Sequence, residues 1–480
     1  MAALTVKSVE ALAGSGTRFA HAVKAGPWIF LNGHEAFDFE RGLAPEVEGP
    51  PGSRLSGRPP LRREADYILQ RMRSTLKEFG ADLANAVRVD QYYTSGQAVH
   101  AYHLARFAEF GSYIPPSTSI IMPRCFTQRT NIHTCMIAVA PGKNWAIEKI
   151  ALPGEAISAS GYSPAVVVND FVFVAGNQAF VASGELGPGV AMAPARNWGG
   201  ENAFRRQAHY VIRERLAPSL KAAGSALERS LKAQVYIRGV DNFPDFMDVW
   251  SQYFRDIPCA LTLVPAKDYS STESMLEINL IALKDGAARR KEVVDVDIPA
   301  LATYGPCLRA GELVFPSGLM AVARDGRVPA AADAAAFDAL ALAGYAQGAL
   351  LHAYAELVCK AVDVSMGNVV RGQRGTRAVL PDRHARFRRR RRRLVAPLWT
   401  RAAPVCRGAS ARPVTDERRL DHRRLLDLRG VTPPRRTPRP APPQGWMRGN
   451  ARTALAMIAR TAMPARPSRP GPWSKRSRPG

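Results

Sequence analysis

The chain has 480 residues, 46% of them hydrophobic, which allows two to four domains with separate cores. Its formal net charge is +25, yet residues 371–480 hold 30 Lys and Arg against 5 Asp and Glu, so that stretch carries the whole excess and residues 1–370 are neutral. Six scattered cysteines (Cys125, Cys135, Cys259, Cys307, Cys359, Cys406) with no CxxC or Cys/His ligand spacing exclude a disulfide framework or zinc site, and no run approaches the roughly 20 apolar residues of a membrane helix.

With no basic-then-apolar leader, the body reads as soluble and cytoplasmic, needing no metal or cofactor. The first recognisable element is AVKAGPWIFLNGHEAF, from Ala22: an apolar strand, a turn, and a second apolar strand closed by Gly33. The helix Leu61–Phe79 follows, its Leu61, Ala65, Ile68, Leu69, Met72, Leu76 and Phe79 recurring on one face, with Gly80 as its stop. A strand (Val87–Tyr93), a helix (Val99–Phe110), a Pro-led strand (Pro115–Met122) and a final strand (Ile132–Val139) complete the first unit.

The same pattern then returns. VVVNDFVFVAGNQAF, from Val166, closes on Gly176, and CLRAGELVFPSGLMAV, from Cys307, closes on Gly318. The three closing glycines are 143 and 142 residues apart. The turns are expected at Ala25-Gly26, Asn169-Asp170 and Ala310-Gly311. The second copy continues through a helix at 201–223, a strand Leu231–Ile237, a helix Phe243–Phe254 and strands Pro258–Val264 and Leu276–Leu283. The third reaches a helix at Ala339–Ala361 and loses the pattern at Arg371. The fold class is therefore α/β (α+β): tandem ββαβαββ modules at 1–150 and 151–290, the N-terminal half of a third at 291–371, and a basic Arg/Pro-rich tail at 372–480, expected to be disordered.

Module order, the small residue and Gly that close the hairpin, and the Pro-led penultimate strand together resemble the RidA (YjgF/UK114) family. The resemblance covers about Ser15–Ala140, Ser158–Leu283 and Tyr304–Arg371. It implies chorismate-mutase-like modules that associate in threes, here as an intramolecular pseudo-trimer, with a pocket at each interface for a small carboxylated metabolite. It also implies enamine or imine hydrolysis by a Pro-x-Arg that grips the carboxylate, a Glu on the last strand that positions water, and a Tyr-Ser pair before the first strand.

At those positions copy one has Ser117 for the Arg, Phe19-Ala20 for Tyr-Ser, and Cys135 where the Glu falls. Copy two has Ala260 for the Arg, but offers Tyr162, Ser163, Glu277 and Asn279. Copy three keeps Tyr304 and Ser317, and the half that would carry an Arg and Glu is absent. The candidate site residues are thus Tyr304, Ser317, Tyr162, Ser163 and Glu277. The commoner alternative for Glu277 is an exposed strand carboxylate, and for Cys135 beside His133 a buried thiol with a satisfied imidazole. A non-catalytic metabolite-binding or scaffold protein, or a chorismate-hydrolase-like enzyme, are the competing functions.

The run Arg388–Arg393 would attract nucleic acid only non-specifically, through the tail. The competing origin is a shifted reading frame near codon 370. Lys all but vanishes there (Lys475 alone remains) while Arg rises, and the break falls inside a module.

Overall fold

The computed structural model describes residues 4–10, 18–39, 41–50, 57–152, 160–181, 183–191, 202–299, 305–322 and 339–362. All of them fall in the first of two compact units, Met1–Ala409. Tyr304 and the whole tail lie outside the described residues.

The first module runs β1 (Leu4–Glu10), β2 (Arg18–Ala25), β3 (Trp28–His34), the two-residue strands β4 (Phe37–Asp38) and β5 (Gly42–Leu43), and α1 (Pro45–Glu48). It continues with α2 (Pro60–Glu78), β6 (Ala86–Tyr93), α3 (Gly96–Phe110), β7 (Ser117–Ile121) and β8 (Ile132–Val139). Its sheet has the order β1-β2-β3-β8-β6-β7. All pairs are antiparallel except β6 and β7, which run parallel because α3 carries the chain across between them.

The second module repeats this with β9 (Ile147–Ile150), β10 (Ala165–Val168), β11 (Phe171–Asn177), α4 (Ala203–Tyr210), α5 (Ala217–Ala222), β12 (Ser230–Arg238), α6 (Phe243–Phe254), β13 (Ala260–Ala266) and β14 (Leu276–Leu283). Read from β9, its order is β9-β10-β11-β14-β12-β13, strand for strand that of the first sheet. Of the third, β15 (Lys291–Val294), β16 (Cys307–Ala310), β17 (Leu313–Phe315) and α7 (Ala339–Ala361) are described.

Each module thus begins one strand earlier than the sequence pattern indicates. β1, β9 and β15 each add an antiparallel edge to the hairpin that follows. β9 and β15 have only four residues and carry charge (IEKI, KEVV), so no apolar alternation marks them. Two hairpin turns also sit one residue later than expected. The first loop residues are Gly26, Asn169 and Gly311, at φ 58°, 51° and 59°, the left-handed region that Gly and Asn tolerate. The expected helix at 201–223 is a single helical run broken by a π turn at Val211–Leu216, just before Pro218, which has no N–H to return to the Glu214 carbonyl.

The helices cover one face of each sheet. Ile68, Leu69, Met72, Leu76 and Tyr102 pack on Ile29, Leu31 and Met136 in the first module. Phe204, Ile212, Leu216, Phe246 and Trp250 pack on Val172, Val235 and Ile278 in the second. α2 ends as its glycine predicts: Gly80 has φ 75°, and the Ala81 N–H reaches back to the Leu76 carbonyl at 3.0 Å.

The opposite faces pack against one another. One core joins Trp28 and Val139 of the first sheet, Val166, Phe171, Phe173 and Ile281 of the second, and Leu308 and Phe315 of the third hairpin. Trp28 meets Phe171 edge-on at 5.3 Å, and its indole N–H donates to Glu312 Oε1 at 3.2 Å. Because strand residues alternate between faces, the odd-numbered positions of β8 and β14 (His133, Cys135; Glu277, Asn279) point into this inter-module space.

Candidate functional site

Between the first and second modules, β7 lies against β11 and β14. Asn279 Nδ2 donates to Thr118 Oγ1 at 2.8 Å, and the Ser119 N–H donates to Glu277 Oε1 at 3.3 Å. Gln178 Nε2 donates to the other Glu277 oxygen at 2.7 Å. Glu277 is 3% exposed, so the reading of an exposed strand carboxylate is corrected. Glu277 and Asn279 share their face of the strand with Ile281 and Leu283, and the neighbouring module covers it. Burial pushes the carboxyl up to about 7, against the downward pull of the Gln178 and Ser119 bonds. A Cβ on Gly176 would collide with this carboxylate, which is why a glycine closes the hairpin here.

Tyr162 forms a bridge with Ile114, and the Ser163 N–H donates to the Ile114 carbonyl at 2.9 Å, so this pair also sits at the boundary between modules one and two. Beside it lies a residue that motif reading misses. Arg106, from α3, is buried and donates to Ser117 Oγ at 3.2 Å and to the Ser160 carbonyl at 2.6 Å. A guanidinium therefore reaches Ser117, from a helix rather than from the Pro-led strand. An arginine on a helix between Ala105 and Phe107 carries no motif that would single it out.

Between the second and third modules, Ser317 Oγ accepts from the Leu261 N–H at 2.8 Å and donates to the Pro306 carbonyl at 2.7 Å. The Gly318 N–H donates to the Leu261 carbonyl at 2.8 Å. The predicted residues therefore fall in two separate groups: Tyr162, Ser163 and Glu277 at one boundary and Ser317 at the other, with Tyr304 outside the described residues.

Register identifies the first module's counterpart of Glu277. Glu277 pairs with Tyr236 and His133 with Tyr92, at the same step of β14 and β8. The counterpart of Glu277 is therefore His133 and not the expected Cys135, which is the counterpart of Asn279. His133 Nδ1 lies 2.6 Å from Glu35 Oε1, and His133 Nε2 lies 3.5 Å from Cys135 Sγ. Glu35 also accepts from the Phe126 N–H (2.8 Å), the Thr127 N–H (3.0 Å) and hydroxyl (2.5 Å), and the Thr130 hydroxyl (2.9 Å). Burial alone would raise the Glu35 carboxyl, but the bonds from His133, Thr127 and Phe126 outweigh it and hold it at about 2.

His133 and Cys135 line a cavity of about 170 Å³ bounded by all three modules. Its charged lining is Arg88, Asp90, Arg124 and Lys232. Arg88 and Asp90 are paired at 3.0 Å. Lys232 Nζ donates to two neutral oxygens, Thr262 Oγ1 and the Pro316 carbonyl, both at 2.6 Å, and its burial lowers the ammonium to about 7. Positive charge thus outnumbers the single carboxylate, and the space suits a small anion. Its volume is close to that of a cavity known to admit benzene.

Comparison with known proteins bears on these modules one at a time. Residues 154–284 match the family model described as Endoribonuclease L-PSP. The mitochondrial protein mmf2 of Schizosaccharomyces pombe is 28% identical over 139 residues, 28% of this chain and 98% of that protein. Among solved structures, yeast Mmf1 (19% identical, TM-score 0.25) is covered over 100% of its length by 29% of this chain. YyfA of Yersinia pestis, titled a member of the conserved Rid protein family, is 21% identical with TM-score 0.24, over 29% of this chain and 99% of its own. A chorismatase is 12% identical with TM-score 0.37, over 58% of this chain and 79% of its own.

The match to mmf2 overturns the expected cytoplasmic location, since that relative is a mitochondrial protein. Free thiols report only a reducing compartment and do not choose among several. Among the described residues, no helix is long and apolar enough to cross a membrane. Residues 154–284 thus match the RidA family, the Endoribonuclease L-PSP group, along the second module, and the first module repeats its sheet order, which together support a RidA-family chain of tandem modules.

Proposed function

We propose that this chain binds a small carboxylated metabolite, an enamine, imine or related acid, in the cavity between its modules and hydrolyses it there. The modules, divided near residues 150 and 290 with each edge strand joining the hairpin after it, act as an intramolecular pseudo-trimer. Tethering keeps them together whatever the protein concentration. The observation that carries this reading is the cationic lining of the cavity, where Lys232 and Arg124 face a space with one carboxylate, already paired. His133, the counterpart of Glu277 and held by Glu35, takes a proton from water attacking the C=N carbon in this reading. Tyr162, Ser163 and Glu277 would serve the first boundary, with Arg106 for the substrate carboxylate, and Ser317 and Tyr304 the second. The test is ammonia release from imines generated by an amino-acid oxidase. The full chain should accelerate it, and a rate equal to buffer contradicts the reading.

A second reading is a non-catalytic metabolite-binding or scaffold protein. It is favoured at the two boundaries themselves, where Ser117 and Ala260 replace arginine and the Ser317 hydroxyl is engaged by two backbone groups. It predicts saturable binding of small acids with no turnover, chorismate included. For residues beyond 371 we propose a shifted reading frame, which predicts that another frame of the coding DNA encodes the missing strand, helix and Pro-x-Arg strand.

A further inference from the structure

We propose that Cys135, His133 and Glu35 form a nucleophilic triad, and that the cavity it lines hydrolyses small carboxylated esters or thioesters through an acyl-Cys135 intermediate. The inference takes the cavity to be the carboxylate site proposed above, and adds a nucleophile and a reaction type.

Three observations support it. First, the connectivity is complete: carboxylate to Nδ1 at 2.6 Å, Nε2 to Sγ at 3.5 Å. The Glu35 carboxylate can only accept, so the Nδ1 position carries the proton and the Nε2 lone pair faces the thiol, the tautomer a general base needs. Second, Glu35 is fixed by the Phe126 and Thr127 N–H groups and the Thr127 and Thr130 hydroxyls. That rigid shell orients the imidazole and stabilises the imidazolium formed in turnover. Third, both reacting groups open onto the cavity, and Cys135 is partly exposed while Cys125, Cys259 and Cys307 are buried. The second module is an internal comparison. At the same two positions it has Glu277 and Asn279, bonded to Gln178, Ser119 and Thr118, and so has neither the thiol nor the imidazole.

The chemistry balances without an oxidant or reductant. The Cys135 proton passes to His133 Nε2 as sulfur bonds to the carbonyl carbon and the C=O pair moves onto oxygen. Collapse of the adduct breaks the bond to the leaving oxygen or sulfur, which takes the proton from Nε2. Water then attacks the acyl-sulfur carbon, giving its proton to Nε2, and the departing thiolate recovers that proton. The net change is ester plus water to acid plus alcohol or thiol. Arg124 and Lys232, on the same cavity, supply positive charge for the substrate carboxylate.

The experiment uses the full chain with mono-p-nitrophenyl succinate and, as the uncharged probe, p-nitrophenyl acetate. The expected result is nitrophenolate release with an acyl group on Cys135 by peptide mass spectrometry. Cys135→Ser and Cys135→Ala should each lose release by ~10²-fold or more, while Cys359→Ser keeps the full rate. Glu35 is a positioning residue: in Glu35→Gln kcat should fall ~10³-fold with KM little changed, and the acid limb of the pH profile should move to lower pH. No adduct on Cys135, or full release by Cys135→Ala, overturns the triad. An acetyl adduct formed as readily as the succinyl one, with a KM unmoved in Lys232→Met, supports the triad while removing the carboxylate reading.

Discussion

Glu277 reports most directly on what packing does to a single group in this protein. Its folded pKa of about 7 stands above the ordinary 4.5, so between those values the folded state holds a proton the unfolded state has released. Stability is then full below about pH 4.5 and falls as pH rises through 7, by up to ~3 kcal/mol. Glu277→Gln keeps an acceptor for the Ser119 N–H and is uncharged throughout. It is predicted to raise Tm at pH 8 and leave it nearly unchanged at pH 4. An unchanged or lowered Tm at pH 8 would contradict the account. The residue was identifiable from its strand, but its burial was not: in LEINLIAL Glu277 and Asn279 share a face with Ile281 and Leu283, and the two polar residues at its start mask the second sheet that covers that face. The Glu35–His133 contact was hidden for the same reason, joining positions 98 residues apart.

At the scale of elements, what was legible is what is local. The hairpins, the helix faces and the glycine stops are set by residues within a few positions of one another, and the structure places their ends within about three residues. The edge strands were not legible, because their reason for existing is a partner strand rather than an internal pattern. Gly80 offers a clean test of the local logic. Nothing lies within 4 Å of a Cβ there, so Gly80→Ala changes only the cost of φ 75°. The substitution should lower stability by about 1–2 kcal/mol, seen as a lower urea midpoint at unchanged slope. Ser95, whose hydroxyl accepts from the Ala98 N–H at the start of α3, should cost about 1 kcal/mol when replaced by Ala.

At the scale of the whole molecule, the modules are joined by a shared core rather than strung on linkers. Trp28 is 1% exposed and touches groups from all three segments. Trp28→Ala should therefore cost about 3–5 kcal/mol, and should destabilise both sheets together in a single thermal transition, whereas two separated transitions would mean the modules fold independently. The charge imbalance, by contrast, belongs to residues 371–480 alone, and deletion of that stretch should abolish any salt-sensitive retention on DNA. The space between the modules is the proposed anion site. Isothermal titration of the full chain with succinate tests it most directly. An anion beside Lys232 favours its charged form, so binding should be saturable, tighter at pH 6 than at pH 8.5, and weakened ~10-fold or more in Lys232→Met. Absence of binding at pH 6, or binding indifferent to both pH and Lys232, would contradict it.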